Sequence, residues 1–444
     1  MPMHQTSELS KESILLPRLR KAFGVKASEH SNLLPELASQ SQQLIENAVR
    51  NHVIDDRTVG ALVGLAIGDS AGAPLEFLPA RNALEKETAT ENENAPCLLR
   101  NVHPEPEELQ YQSPYNKFKL LHGQWTDDSS MALCLADSLL ANDGFNGSDC
   151  RVRWYDWWNF GYNNAFRHDA RPDRTSVGLG NNIAMSLDAV ATYTGRLASA
   201  VPPRYISESD DSGNGSLMRL APVPIRFHDN VNKAMQVAEA QSYASHPGAD
   251  AAACCTAMAF LITNAIQRPT DDCQKLSDFI NEQAANFITK RASTLASTGN
   301  TAMSKLVNLL NSAPASDKEA AWAWRKPELR IQETLQARGD SYNGHFVTPA
   351  YFGSYCMDGF AMALWALRDS KNFADCIYRV VNLLGDADTT GAITGQIAGA
   401  FYGYQAIKSD PLSARMLDNL KLWDPLQEIP LRALLLNREC DMNS

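Results

Sequence analysis

Glycine recurs at every fourth residue twice in this chain, at Gly60, Gly64, Gly68 and Gly72 and again at Gly391, Gly395, Gly399 and Gly403. On a helix, residues four apart lie along one face, one turn above the next. Each glycine costs a helix interior about 1 kcal/mol relative to alanine. Two ladders of this kind need a compensating gain, and close approach of one helix backbone to another is the simplest. In an apolar membrane span the same spacing would signal helix association within the bilayer. These segments are too short and too polar for that, so they predict tight packing inside a helical body.

The residues between the ladders support that reading. Apolar side chains recur at three- and four-residue steps over 131–140, 152–160, 232–243, 250–265, 275–289, 360–367 and 373–384. Strand-like alternation is scarce. Proline, serine, asparagine and charge mark loops at 79–123, 200–212 and 312–318. No composition break follows residue 60, so one large all-α domain is expected over 56–444, preceded by an extension at 1–55. The extension is polar and poor in glycine. It carries one amphipathic stretch (Ile14, Leu15, Leu16, Leu19, Phe23) and a second helical segment over 33–53. It reads as a packed helical extension or as an arm that binds a partner.

A formal net charge of −11 argues against broad binding to nucleic acid or anionic membranes, which needs clustered Lys and Arg. The nine cysteines are scattered, odd in number and without a CxxC pair, which argues against a disulfide framework or a zinc knuckle. Met1 to Gln5 begin no cationic stretch followed by an apolar core. The most apolar run, 249–263, is interrupted by Asp250 and falls short of the ~20 residues that span a bilayer. A soluble cytoplasmic protein with no membrane partner is expected.

Two acidic loops carry the chemistry. Trp125-Thr126-Asp127-Asp128 precedes a helical run, and its plainer reading is a helix cap with an acidic first turn. Gly385-Asp386-Ala387-Asp388-Thr389 repeats the pattern before the second ladder. Each loop offers two carboxylates and a hydroxyl, an oxygen-only donor set that suits magnesium, manganese or calcium rather than zinc. Converged, the loops could anchor two octahedral ions, and without cations their carboxylates would repel one another. Glu76, just past the first ladder, is either a general base near such ions or a plain surface acid. Gly213-Asn214-Gly215-Ser216-Leu217-Met218-Arg219 is an ordinary turn or a backbone cradle for phosphate oxygens. In Ser245-His246-Pro247-Gly248 the histidine is a turn residue or helix cap, or else a catalytic side chain.

Taken in order, these segments resemble the ADP-ribosylglycohydrolase family, which includes the dinitrogenase-reductase-activating glycohydrolase. The resemblance runs from Gly60 to about Gly403 through Gly64 to Gly72 with Glu76, Trp125 to Ser129, Gly178-Leu179-Gly180-Asn181, Gly213 to Arg219 with Ala221-Pro222, Ser245-His246, Ala363 to Leu367, and Gly385 to Thr390. It implies a compact orthogonal helical bundle with two divalent ions, Mg2+ or Mn2+. By that resemblance Thr126, Asp127, Asp128, Asp386, Asp388 and Thr389 are metal ligands, and Glu76, Asp127 and Asp388 are the catalytic acids. Asn214, Gly215, Ser216 and Met218 match the loop that receives the diphosphate and proximal ribose, and His246 matches a substrate-side histidine. The implied reaction frees ADP-ribose from a modified protein side chain, with arginine as the first expectation. Ser129 and Ser245 stand where the family commonly has threonine, and Ala387 replaces a threonine that is not a ligand. The extension lies outside the usual family core. It looks like the branch of bacterial immunity proteins whose N-terminal extension contacts an ADP-ribosyltransferase toxin.

Two rival readings remain at this level. Asp386-Ala387-Asp388-Thr389 also fits the DxDxT nucleophile pattern of haloacid-dehalogenase-like phosphatases, which need it early, after a strand. The chain could also be a toxin-blocking binding protein whose hydrolase pocket is secondary or vestigial.

Overall fold

The structure is a computed structural model that describes residues 34–82, 116–171, 175–193, 198–270, 273–298 and 301–441, together with Leu15, Arg18 and Ala22. Of the amphipathic stretch from Ile14 to Phe23 only Leu15, Arg18 and Ala22 are described: Leu15 is buried in the common core and Arg18 pairs with Asp143 at 3.1 Å. The rest of the 1–55 extension before Leu34 and most of the 79–123 loop lie outside the described residues.

The expected all-α class holds. Among the described residues the only paired strands are the hairpin Ser341–Tyr342 and His345–Phe346. Six helices position the site: α1 (Leu34–Asn51), α2 (Val53–Gly72), α3 (Asp127–Ala141), α4 (Ala249–Gln267), α5 (Cys356–Arg368) and α6 (Ala387–Tyr402). By length and composition α4 and the stretch Val53–Leu75 are apolar enough to cross a membrane, yet 83% and 100% of their apolar windows are buried within the protein.

The two glycine ladders are the axis of the bundle. α2 and α6 run antiparallel, with Gly60 against Gly399, Gly64 against Gly395 and Gly68 against Gly391. A Cβ added at Gly60, Gly64 or Gly68 would lie 2.3, 2.3 or 2.1 Å from the facing glycine's carbonyl oxygen. Gly72 ends the row against Ala387, where the added Cβ would be 2.1 Å from the Ala387 oxygen. No side chain fits in that seam, so backbone packs on backbone. Dispersion over many such contacts offsets the helix cost of the glycines.

Other elements wrap this pair. α1 buries Ile45, Ala48 and Val49 in the common core. The C-terminal helix Glu428–Asp441 closes over α3, where the fully buried Arg432 pairs with Asp137 at 2.8 Å. Helices at Asn181–Ala191, Thr301–Leu310, Ile331–Arg338 and Tyr404–Ser409 were not legible as periodic runs.

Two boundaries differ from the periodic reading in a way that matters for the site. The 131–140 helix starts four residues earlier, at Asp127. The 373–384 helix stops at Val381. Leu384 and Gly385 then take left-handed backbone angles, φ 64° and 71°. A non-glycine residue held there is strained, and the turn it makes delivers Asp386 to the start of α6.

Candidate active site

Asp69, the last acid of the first ladder, organises the centre. Its carboxylate accepts from Thr126 N and Ser129 N at 3.0 and 2.9 Å, and from the Thr126 and Ser129 hydroxyls at 2.8 and 2.6 Å. Asp69 thereby caps α3 from outside the chain segment, satisfying amide donors that a local cap would otherwise serve. Thr126 occupies the N-cap position but makes no cap bond with its side chain. Its Oγ1 lies instead 2.9 Å from Asp128 Oδ2 and 3.4 Å from Asp388 Oδ2. Asp386 likewise sits at the N-cap of α6 without capping it. The plain cap reading of both loops fails for this reason: the loop side chains point at each other.

They converge into two groups. Ligand oxygens of Glu76, Asp386 and Asp388 lie within 4.8 Å of one another, and so do those of Asp127, Asp128 and Asp388. Asp388 belongs to both. All five acids are buried. Among the described residues, no lysine or arginine forms an ion pair with any of them. Burial pushes Asp127, Asp128, Asp388 and Glu76 well above the usual carboxylate range, and the neighbouring carboxylates push in the same direction. Glu76 Oε2 and Asp128 Oδ1 are buried with no hydrogen-bond partner. Orphaned buried oxygens in a cluster of hard donors fit divalent cations.

The expected residues are placed unequally. Glu76, Asp127, Asp386, Asp388 and Thr389 line a cleft of about 600 Å³, whereas Thr126 and Asp128 lie beneath its surface. Asn214, Gly215, Met218 and His246 also line the cleft. Asn214 Nδ2 donates to Asp386 Oδ2 at 2.7 Å, tying the glycine-rich turn to the acidic centre. Met218 Sδ sits 3.9 Å from Thr389 Oγ1. Ser216 is turned away: its Oγ is fully buried and pairs with Ser242 Oγ at 2.8 Å, so only its backbone belongs to the turn.

Three contributors carried no role in the sequence reading. Asp69 stood inside a quoted motif, yet an acid on a buried ladder gives no sign of what it caps. Tyr351 donates to Glu76 Oε1 at 3.2 Å and stacks on Phe77, and no motif marks it. Gly178 has φ 93° and abuts the centre: an added Cβ would lie 2.0 Å from Asp127 Oδ1.

The DxDxT phosphatase reading is corrected here. Asp386 follows a helix, not a strand, and starts another helix in the second ladder.

Comparison with known proteins agrees with this geometry. The ADP-ribosylglycohydrolase family profile matches residues 50–442. An ADP-ribosylarginine hydrolase of Pseudomonas putida is 27% identical over 78% of this chain and 71% of its own length. The ADP-ribosyl-[dinitrogen reductase] glycohydrolase of Rhodospirillum rubrum is 25% identical over 81% of this chain and 90% of its own. A solved structure, an ADP-ribosylglycohydrolase-related protein complex, superposes with a TM-score of 0.55 at 25% identity, covering 87% of this chain and 99% of that one. This chain belongs to the ADP-ribosylglycohydrolase family and is a hydrolase of ADP-ribosyl bonds.

Proposed function

We propose that this chain removes ADP-ribose from modified arginine side chains of proteins, with two divalent cations, magnesium or manganese, held at the acidic floor of the cleft. The observation that carries the metal reading is the pair of three-carboxylate groups sharing Asp388, with Glu76 Oε2 and Asp128 Oδ1 left without partners. Glu76, Asp386 and Asp388, with Thr389 beside them, would hold one ion, and Thr126, Asp127, Asp128 and Asp388 the other. Such ions would supply charge neutralisation and Lewis acidity toward ribose hydroxyls. The remaining work falls to side chains and backbone. Asn214, Gly215, Met218 and His246 form the wall that receives the diphosphate and proximal ribose, with the Ser216 backbone completing the turn. Glu76, Asp127 and Asp388 face the cleft as the catalytic acids. One of them takes the proton of the water that attacks C1″ while the bond from C1″ to the guanidinium nitrogen breaks, its electron pair leaving with the nitrogen so that arginine departs as a neutral guanidine. The arginine linkage is supported by the names of the Pseudomonas putida relative and of a Serratia proteamaculans relative 26% identical over 79% of this chain, both ADP-ribosylarginine hydrolases.

In this reading the protein acts in the cytoplasm as an immunity protein, reversing the modification made by an ADP-ribosyltransferase toxin. The N-terminal extension, residues 1–55, is the arm that docks and blocks that toxin. The seven cysteines whose side chains are described are all free thiols, in keeping with a reducing compartment. Pure blocking with a vestigial pocket is less favoured, because every proposed acid is present and they converge.

The test is release of free ADP-ribose from a protein modified on arginine, with magnesium, with manganese and with a chelator. Release should require the metal. An Asp127→Ala, Asp388→Ala double variant that releases ADP-ribose at the full rate in chelator would sink the metal reading.

A further inference from the structure

We infer that Arg219 and Ser245 are positioning residues that hold His246 in the tautomer with its proton on Nε2, making it a fixed hydrogen-bond donor at the cleft wall. A guanidinium has only donors. Arg219 Nη2 donates to Ser245 Oγ at 2.6 Å. Ser245 Oγ lies 2.8 Å from His246 Nδ1. Among the described residues Nδ1 is the only acceptor in hydrogen-bond reach of the Ser245 hydroxyl, so with the oxygen accepting from arginine its hydrogen goes to Nδ1, and the ring proton is left on Nε2. Nε2 lies along the Gly213–Gly215 turn: Cβ atoms added at Gly213 and Gly215 would be 3.6 and 3.1 Å from it. His246 and both glycines line the cleft.

The relay is rigidly built. Arg219 Nε donates to Gln241 Oε1 at 3.1 Å, and Nη2 also donates to Gln241 O at 3.1 Å. Gln241 Nε2 donates in turn to Ser216 O at 2.8 Å, so the same network fixes the turn beside the ring. The guanidinium stacks over Trp154, 3.8 Å from its ring centroid. Among the described residues no carboxylate forms an ion pair with Arg219, which leaves its hydrogen bonds directed at Gln241 and Ser245, with a weaker one from Nη1 to Met131 Sδ at 4.0 Å. Burial, with the Arg219 charge adding to it, holds the His246 ring down to about 3. His246 therefore serves as a donor to a substrate oxygen and does not shuttle protons.

The ligand this donor meets rests on the proposed function: a phosphate or ribose oxygen of ADP-ribose. Nitrogen-detected NMR of the full chain labelled at histidine reads the tautomer directly, without substrate. Wild type should show His246 protonated at Nε2 only. Ser245→Ala should lose that single tautomer and bind ADP-ribose roughly tenfold more weakly, the loss of one hydrogen bond to a charged group. It should also raise KM with kcat little changed, and Ser245→Thr should restore both. A wild-type ring protonated at Nδ1 overturns the relay. So does a Ser245→Ala protein that keeps the Nε2 tautomer and full affinity. Absence of ADP-ribose release by wild type under every metal would refute the proposed function, while the tautomer measurement would still decide the relay.

Discussion

A methyl group added at Gly68 should separate the two roles of the glycine seam. In an exposed helix, Gly→Ala stabilises by about 1 kcal/mol. At Gly68 the new Cβ would lie 2.1 Å from Gly391 O and 2.4 Å from Gly391 C, both backbone atoms that cannot swing aside. Reaching ordinary contact means parting α2 and α6 locally by roughly 1 Å, which forfeits a quarter to a half of the nearby dispersion wells. Overpacking costs about 1–3 kcal/mol in general, and a backbone-on-backbone seam belongs at or above the top of that range. After the propensity gain, a net loss of about 2 kcal/mol is expected, or roughly 2 °C in Tm for a chain of this size. Gly68 adjoins Asp69, and its partner Gly391 is two residues past Thr389, so the same shift loosens the acidic centre and should cost about 10²-fold in turnover. Gly60→Ala meets Gly399 O at 2.3 Å, two turns or ~12 Å from Gly68 along the helix. It should destabilise comparably and leave turnover near wild type. Calorimetric melting of the two variants beside ADP-ribose release is the assay. A Gly68→Ala protein that melts at or above wild type with full turnover would refute the seam argument.

Asp69→Asn should lower ADP-ribose release by at least tenfold, because one oxygen cannot accept from the Thr126 and Ser129 donors together; unchanged kinetics would show that α3 needs no cap from α2. Magnesium or manganese at a hundred times its Kd should raise stability by about 2.7 kcal/mol, read as a thermal shift that Asp388→Asn loses; an equal shift in that variant would mean the ion binds elsewhere. Removing residues 1–33 deletes Leu15 from the core and Arg18 from its pair with Asp143, so it should lower Tm; it should leave hydrolysis within about twofold while abolishing capture of a cognate ADP-ribosyltransferase toxin, since every acid of the centre lies at or after Asp69. Burial pushes Asp56 up to about 6, against hydrogen bonds such as that from Gln405 N. The folded state thus prefers its protonated form, and the resulting instability is full above that pH. It should be relieved as pH falls from 7 toward 4, and wild type should gain on Asp56→Asn across that window in denaturant midpoints; a difference independent of pH would refute the assignment.

The sequence by itself determined the helical class, the seam and the acidic loops. Each is written in local spacing: four-residue glycine steps put one face of a helix in view, and paired acids before an apolar run mark a helix start whatever surrounds it. The ordered set of motifs also sufficed to place the chain in its family. The tertiary structure decided what those pieces do to one another. Antiparallel pairing of the ladders brings the end of α2 to the start of α6, and only that meeting makes Asp69 the cap of α3 and Asp388 common to both carboxylate groups. Ser216 sits in the predicted turn yet faces the core, because neighbouring positions in a tight turn point in different directions. Arg219 and Ser245, 26 residues apart, join His246 through hydrogen bonds that no spacing encodes. Local chemistry sets which groups are available along a helix. Which of them meet is set by how buried backbones pack, and in this protein by two rows of missing side chains.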